Sequence, residues 1–116
     1  MVDCGSICKC IESASGRKPD ITQGKPDPNM LYGIIDKYDL RSDEVAMVAD
    51  RIYTDTQMAH NAGSLGVLVL SGESTLSTEL KVAEDAKSSD SPAFYPPDLI
   101  VRDLKELGEM IIASHM

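Results

Sequence analysis

A chain of 116 residues has the length of one small domain, and its 42% apolar residues are enough for a modest hydrophobic core. Its 19 acidic and 11 basic side chains give a formal charge of −8 at pH 7 and an isoelectric point near 4.5. Such an acidic chain lacks the basic surface that non-specific binding to nucleic acid or to an anionic membrane requires. The apolar runs are too short to cross a bilayer, and residues 1–10 lack the apolar stretch of a signal peptide. We therefore expect neither a nucleic-acid partner nor a membrane partner.

Three cysteines, Cys4, Cys8 and Cys10, lie close together near the N-terminus. An odd number of neighbouring cysteines does not make a disulfide framework. A metal clip through Cys8 and Cys10 is the functional alternative. A structural zinc site needs about four ligands, however, and the two histidines lie far away in the sequence. We expect ordinary reduced thiols of a cytosolic protein.

The first 40 residues predict two helices joined by a short strand and a turn. Residues at helical spacing, with a glycine placed to end the helix, indicate the first: Ile7, Cys8, Ile11, Ala14 and Gly16. Ile21-Thr22 is the predicted strand, and the turn spans Gly24 to Pro28. The second helix, for which Pro28 suits the first turn, has a predicted apolar face of Met30, Leu31, Ile34, Ile35 and Tyr38.

The remaining residues predict strands that alternate with helices. Three apolar runs indicate strands, the first two buried on both faces: Val45–Ala49, Gly66–Leu70 and Leu99–Val101. The predicted helices carry Met58, Ala59 and Ala62 before Gly63, then span roughly Leu76 to Ala86, then carry Leu104, Leu107 and Ile111. Asp103 with Glu106 resembles a capping box, and residues 88–97 have the composition of a loop.

This alternation predicts an α/β fold, namely part of a Rossmann-like parallel sheet flanked by helices. In such sheets the polar residues at the carboxyl ends of the strands form the working site. Asp50 directly follows the first buried strand, and Ser71-Gly72 follows the second. These residues are therefore candidates for the site.

Asp50, Asp55 and Lys25 are the candidate functional residues. Magnesium takes oxygen ligands and usually only one or two protein carboxylates, so Asp50 and Asp55 in one tight turn suit it. Lys25, in a Gly-Lys-Pro turn, could supply a point charge for a phosphoryl group. Plainer interpretations remain open, because Thr54-Asp55 could cap the next helix and Lys25 could be a solvated surface residue.

Taken together, four segments resemble the haloacid dehalogenase (HAD) superfamily, in its NagD-like and p-nitrophenyl-phosphatase-like branch. They are Gly24–Pro28, Val48–Asp55, Ala62-Gly63 and Gly66–Gly72. Residues 4–19 are similar to the segment where the cap domain of that branch returns to the core. The resemblance implies that Asp50 binds Mg²⁺, that Lys25 neutralises the phosphoryl oxygens and the nucleophile, and that Asp55 supports the metal's waters and the lysine. The branch usually has glycine where this chain has Ala49.

The resemblance also implies residues that this sequence does not contain. The family attacks phosphate with an aspartate of an Asp-x-Asp motif, and no Asp-x-Asp occurs in the 116 residues. We therefore expect the C-terminal fragment of a cytoplasmic, magnesium-dependent phosphomonoester hydrolase, inactive alone, whose intact parent acts on a small phosphate monoester. A non-catalytic module derived from a HAD core is the alternative, and a small α/β domain whose carboxylates only cap helices is a third possibility.

The resemblance divides the chain into residues 1–19 as the end of the cap, residues 20–113 as the C-terminal half of the core, and residues 114–116 as a tail without functional weight. It assigns no role to His60, which we expect to be exposed or half-packed. In the family's sheet the strand ending at Asp50 pairs with the strand carrying the nucleophile. Without that neighbour, Val45–Ala49 would be a bare apolar edge, so we expect a homo-oligomer unless a loop or helix covers it.

Overall fold

The computed structural model describes residues 2–90 and 92–116 and contains five α-helices and three β-strands in this part of the chain. The helices are α1 (Cys4–Ser15), α2 (Asn29–Tyr38), α3 (Gln57–Ala62), α4 (Leu76–Ser88) and α5 (Leu104–Ser114). The strands are β1 (Ala46–Ala49), β2 (Leu65–Val69) and β3 (Leu99–Val101). A 3₁₀ turn at Ser42–Glu44 precedes β1, and a π-helical turn at Ile52–Thr56 leads into α3.

The three strands form one parallel sheet in the order β1-β2-β3. In the register, Val48 lies opposite Val67, and Val67 lies opposite Leu99. Helices cover both faces, which confirms the predicted Rossmann-like α/β arrangement. On one face Val67 and Val101 pack with Leu107 of α5, and on the other Leu68 packs with Ile52 and Val82.

β1 is less buried than predicted for Val45–Ala49, whose apolar run indicated a strand covered on both faces. Among the described residues β1 has a strand neighbour on one side only. Ala46 is exposed, and Met47 to Ala49 are half-buried. The prediction holds better for β2, where Gly66, Val67 and Leu68 are all buried because a strand lies on each side.

The predicted strand at Ile21-Thr22 is wrong. Both residues belong to an irregular, exposed segment, and the Ile21 side chain is 70% exposed. A strand needs a neighbour for its backbone groups, and the three-stranded sheet of the described residues supplies none here. β-branched residues alone therefore did not make a strand.

The two N-terminal helices are less buried than their apolar patterns suggest. Helix α1 ends at Gly16 as predicted, in the left-handed conformation, but it has no buried residue. In α2 only Leu31 and Ile35 are buried, where they pack on Met58, Ala59 and Ala62 of α3. The other three residues of its predicted face, Met30, Ile34 and Tyr38, are exposed. No helix in the described part of the chain is long and apolar enough to span a membrane.

Candidate active site

Asp50 lies at the carboxyl end of β1, and the loop that follows β2 folds back onto it. The backbone N–H of Glu73 donates to Asp50 Oδ2 at 2.8 Å, and the N–H of Ser74 donates to the Asp50 carbonyl at 3.0 Å. Arg51 and Glu73 form an ion pair beside this contact. Two neighbouring parallel strands end here, so their loops meet at one edge of the sheet, as predicted for Asp50 and Ser71-Gly72.

Gly72 makes this close approach possible. A Cβ atom added at Gly72 would lie 2.2 Å from both Cβ and Oδ2 of Asp50. Any side chain at this position would therefore displace either the loop or the carboxylate. The sequence placed Gly72 near the site, but only the structure shows that the loop needs glycine there.

Lys25 and Asp55 form an ion pair across the site. Lys25 Nζ lies 2.5 Å from Asp55 Oδ1, and the Asp55 side chain is 3% exposed against 41% for Lys25. A buried carboxylate is costly without a cation beside it, so Lys25 compensates the Asp55 charge. Lys25 is therefore not an ordinary solvated lysine.

The capping interpretation of Thr54-Asp55 is wrong. The π-helical turn begins after Arg51 and α3 begins after Thr56, so both residues lie inside the turn instead of at a helix N-terminus. The prediction missed the π-helical turn, so helical backbone begins at Ile52, before Thr54 and Asp55. Asp55 is a buried residue of this turn, and its carboxylate contacts Lys25.

Asn61, Gln57 and Tyr95 support the lysine turn and were missed in the sequence. Asn61 Nδ2 donates to the carbonyl of Pro26 at 3.0 Å, next to Lys25. Gln57 Nε2 donates to Asn61 Oδ1 at 3.0 Å, and the Tyr95 N–H donates to Gln57 Oε1 at 2.9 Å. The i,i+4 spacing of Gln57 and Asn61 was visible in the sequence, but their partners 35 and 38 positions away were not.

His60 is exposed, as expected, and its contacts do not indicate a catalytic role. Its ring stacks on Tyr95 with the centroids 3.7 Å apart. This contact attaches the loop before β3 to α3, next to the hydrogen bond between Tyr95 and Gln57.

The chemistry of the site suits a hard divalent cation. Thr54 Oγ1 is a buried oxygen that lacks a hydrogen-bond partner within the described residues, and Asp50 and Asp55 supply two carboxylates in the same turn. Magnesium binds oxygen, keeps several waters and needs only one or two carboxylates. No group of three or more His, Cys, Asp or Glu side chains in residues 2–90 and 92–116 could hold a metal, so an ion preferring many protein ligands would not fit.

Comparison with known proteins agrees with the fold. Residues 22–107 match the family model described as HAD-hydrolase-like. The chain belongs to this family. Over 73 residues it is 41% identical to the ribonucleotide monophosphatase NagD of Escherichia coli K12, covering 63% of this chain and 29% of NagD. In this part of the sequence the chain is therefore similar to NagD-like members of the family.

Two solved structures are similar to this chain over most of its length. The 4-nitrophenylphosphatase of Thermotoga maritima superposes with a TM-score of 0.69 and 38% identity, over 92% of this chain and 37% of that one. The glycerol phosphate phosphatase of Mycobacterium tuberculosis, solved in complex with magnesium, has a TM-score of 0.63 and 27% identity, over 89% of this chain and 28% of that one. The chain thus spans about a third of the length of these relatives.

Proposed function

We propose that this chain is the C-terminal part of the core of a magnesium-dependent phosphomonoester hydrolase, with residues 1–19 from the end of the cap and residues 20–113 from the core. The observation that carries the proposal is the Lys25–Asp55 ion pair beside the turn that follows Asp50. Phosphoryl transfer depends largely on positioning and on charge stabilisation, and these are the groups that supply charge. The three relatives named above are all phosphatases, which supports this reaction class.

Each residue has a separate role in this proposal. Asp50 is the carboxylate that would hold Mg²⁺, and the Glu73 amide keeps it oriented. Asp55 holds the Lys25 ammonium and the metal's waters, and Lys25 directs its positive charge toward a phosphoryl oxygen. When bound, the ion neutralises charge on the phosphate. Ala49 adds a methyl group beside Asp50 where the family usually has glycine, which would weaken metal binding slightly.

The covalent part of the reaction needs an aspartate nucleophile that these 116 residues do not supply as an Asp-x-Asp motif. In the intact, cytoplasmic parent that aspartate would form an aspartyl-phosphate with a small phosphate monoester. The chain by itself therefore has the charged half of the site and does not turn over substrate.

Association through the sheet edge also follows from this proposal. The outer side of β1 has no strand neighbour in the part of the chain that the structure describes. An apolar groove of about 320 Å³ crosses the sheet face between the three strands and α5, lined among others by Ala46, Val67, Leu99, Leu107 and Met110. Exposed edges of this kind pair with other strands. We expect a homodimer in which two copies of β1 meet.

Two measurements test the proposed function. Titration calorimetry with MgCl₂ should give binding to the wild-type chain and at least tenfold weaker binding to Asp50→Asn. The control is Asp36→Asn, a carboxylate exposed on α2, which should bind like wild type. Equal binding by all three chains would contradict the metal assignment.

The second measurement is hydrolysis of p-nitrophenyl phosphate by the purified chain. We expect no turnover with or without Mg²⁺, because the nucleophile is missing. Turnover that Mg²⁺ stimulates and Asp50→Asn abolishes would mean that another residue of this chain is the nucleophile, and the half-site proposal would be wrong.

A further inference from the structure

Helix α1 presents two thiols on one exposed face, outside the candidate active site. Cys4 and Cys8 lie one helical turn apart, and their Sγ atoms are 4.0 Å from each other. Cys10 follows Cys8 by two positions, which turns it by about 200° around the helix, to the opposite side. The structure therefore excludes the clip through Cys8 and Cys10 and pairs Cys4 with Cys8 instead.

Both thiols are free and accessible. All three cysteines are exposed and unpaired in disulfides. Cys4 and Cys8 line an open cavity of about 410 Å³ between α1 and the segment that leads to Lys25, and Lys9, Pro19 and Lys25 line it as well. A ligand could reach the two sulfurs without any movement of the core, because α1 has no buried residue.

The distance between the sulfurs favours a bridging metal ion over a disulfide. A metal–thiolate bond of about 2.3 Å places two sulfurs between about 3.8 Å apart at a tetrahedral angle and about 4.6 Å apart when linear. The observed 4.0 Å corresponds to a sulfur–metal–sulfur angle of about 120°, and rotation of the two exposed side chains would bring the sulfurs to the wider separation of a near-linear two-coordinate site. A disulfide needs the sulfurs about 2.05 Å apart, so α1 would have to distort to form one.

The number of ligands selects the metal. A structural zinc site needs about four protein ligands. No group of three or more His, Cys, Asp or Glu that could hold a metal occurs in residues 2–90 and 92–116. Cuprous ion is a soft metal ion that prefers thiolate ligands. Two thiolates are enough to bind it.

We propose that Cys4 and Cys8 form a two-coordinate binding site for Cu(I). Binding replaces the two S–H bonds by two Cu–S bonds and releases two protons, and copper keeps its oxidation state. The resulting dithiolate complex carries one net negative charge, and Lys9, whose ammonium pairs with Glu12 at 2.7 Å, lines the same cavity. This site does not depend on the proposed phosphatase function.

The test is an anaerobic titration of the reduced chain with Cu(I) in competition with bicinchoninate, with the stoichiometry read by native mass spectrometry. Wild type should bind one Cu(I) per chain. Cys4→Ser and Cys8→Ser should each bind more than about tenfold more weakly, because the second thiolate no longer acts at high effective concentration. Cys10→Ser is the matched control and should bind like wild type.

Three outcomes would overturn the proposal: no Cu(I) binding by wild type, equal weakening in all three variants, or copper found only in a species of two chains. Equal weakening would mean that thiol number and not helical spacing determines binding. Circular dichroism of each variant shows whether it is folded. Because all three cysteines are exposed, we expect each serine variant to keep the wild-type fold.

Discussion

At the scale of single residues, Lys25 and Asp55 show how a charge becomes buried in a small domain. The family resemblance implied that Asp55 supports the lysine, and the structure brings the two side chains into contact across 30 positions of chain. The Asp55 side chain is almost fully buried, so its charge needs the lysine. The lysine is partly exposed, and solvent therefore screens the attraction to some extent.

Replacing Lys25 tests whether the buried Asp55 carboxylate depends on the lysine charge. Lys25→Met keeps most of the aliphatic stem and leaves the Asp55 carboxylate without its cation, so we expect a loss of about 1–3 kcal/mol in the free energy of unfolding. Urea unfolding measures it. Lys18→Met, at a lysine whose side chain is 81% exposed, is the control and should change the stability by less than about 0.5 kcal/mol. Equal effects of the two substitutions would argue against a stabilising Lys25–Asp55 pair.

Gly72 provides a second residue-scale prediction. In Gly72→Ala the new methyl group collides with the Asp50 side chain, so we expect a loss of about 1–3 kcal/mol in thermal or urea unfolding. The same substitution at Gly33, inside α2 with open space around it, should stabilise the chain by about 0.5–1 kcal/mol. If Gly72→Ala unfolds like wild type and the NMR shift of the Glu73 amide is unchanged, the close approach is not required.

At the scale of elements, the start of α5 shows a variation on the predicted capping box. Asp103 Oδ1 accepts from the Glu106 N–H at 2.9 Å, as predicted. The Glu106 carboxylate, however, accepts at 2.6 Å from the backbone N–H of Arg102, one residue before the position expected for a capping box. It also pairs with the Arg102 guanidinium at 3.0 Å. Extended backbone at Asp103 brings the Arg102 amide within reach of Glu106.

This contact predicts a pH dependence of stability. The Arg102 N–H, and then its guanidinium, hold the pKa of Glu106 below its ordinary value of 4.5. A depressed pKa contributes stability above the ordinary value, and the contribution is lost as the pH falls through the lower, folded-state pKa. Wild type should therefore exceed Glu106→Gln in stability near pH 7, and the difference should shrink below pH 4.5. Urea unfolding at several pH values measures this, with Glu109→Gln as the control; a difference that does not vary with pH would contradict it.

At the scale of the whole molecule, the sheet lacks a strand neighbour at the outer side of β1 within the described residues. Backbone groups of β1 on that side therefore have no partner strand among these residues. Because such edges pair with other strands, we expect a second copy of the chain to pair there.

Sedimentation velocity over a concentration series tests this association. We expect the wild-type chain to shift from monomer toward dimer as the concentration rises. Ala46→Lys places a charge on the exposed edge and should keep the chain monomeric, whereas Ala93→Lys, in the exposed loop before β3, should associate like wild type. A wild-type chain that stays monomeric throughout would contradict the dimer.

The sequence by itself determined the α/β class, the parallel sheet and most helix positions, because apolar periodicity, glycines and capping residues act over a few neighbouring residues. It also determined that Asp50 follows a strand, and the motif set identified the family. The edges of the elements were less secure: α4 reaches Ser88 instead of Ala86, and β2 begins at Leu65 instead of Gly66.

Only the tertiary structure decided which residues meet. The Lys25–Asp55 pair, the Asn61 bond to Pro26 and the approach of Gly72 to Asp50 each join segments more than 20 positions apart. It also decided that Ile21-Thr22 stays irregular and that β1 is half-exposed, since a strand depends on its neighbours as much as on its own residues. Patterns within a short stretch of sequence do not say which distant segment a residue contacts, because tertiary packing determines those contacts.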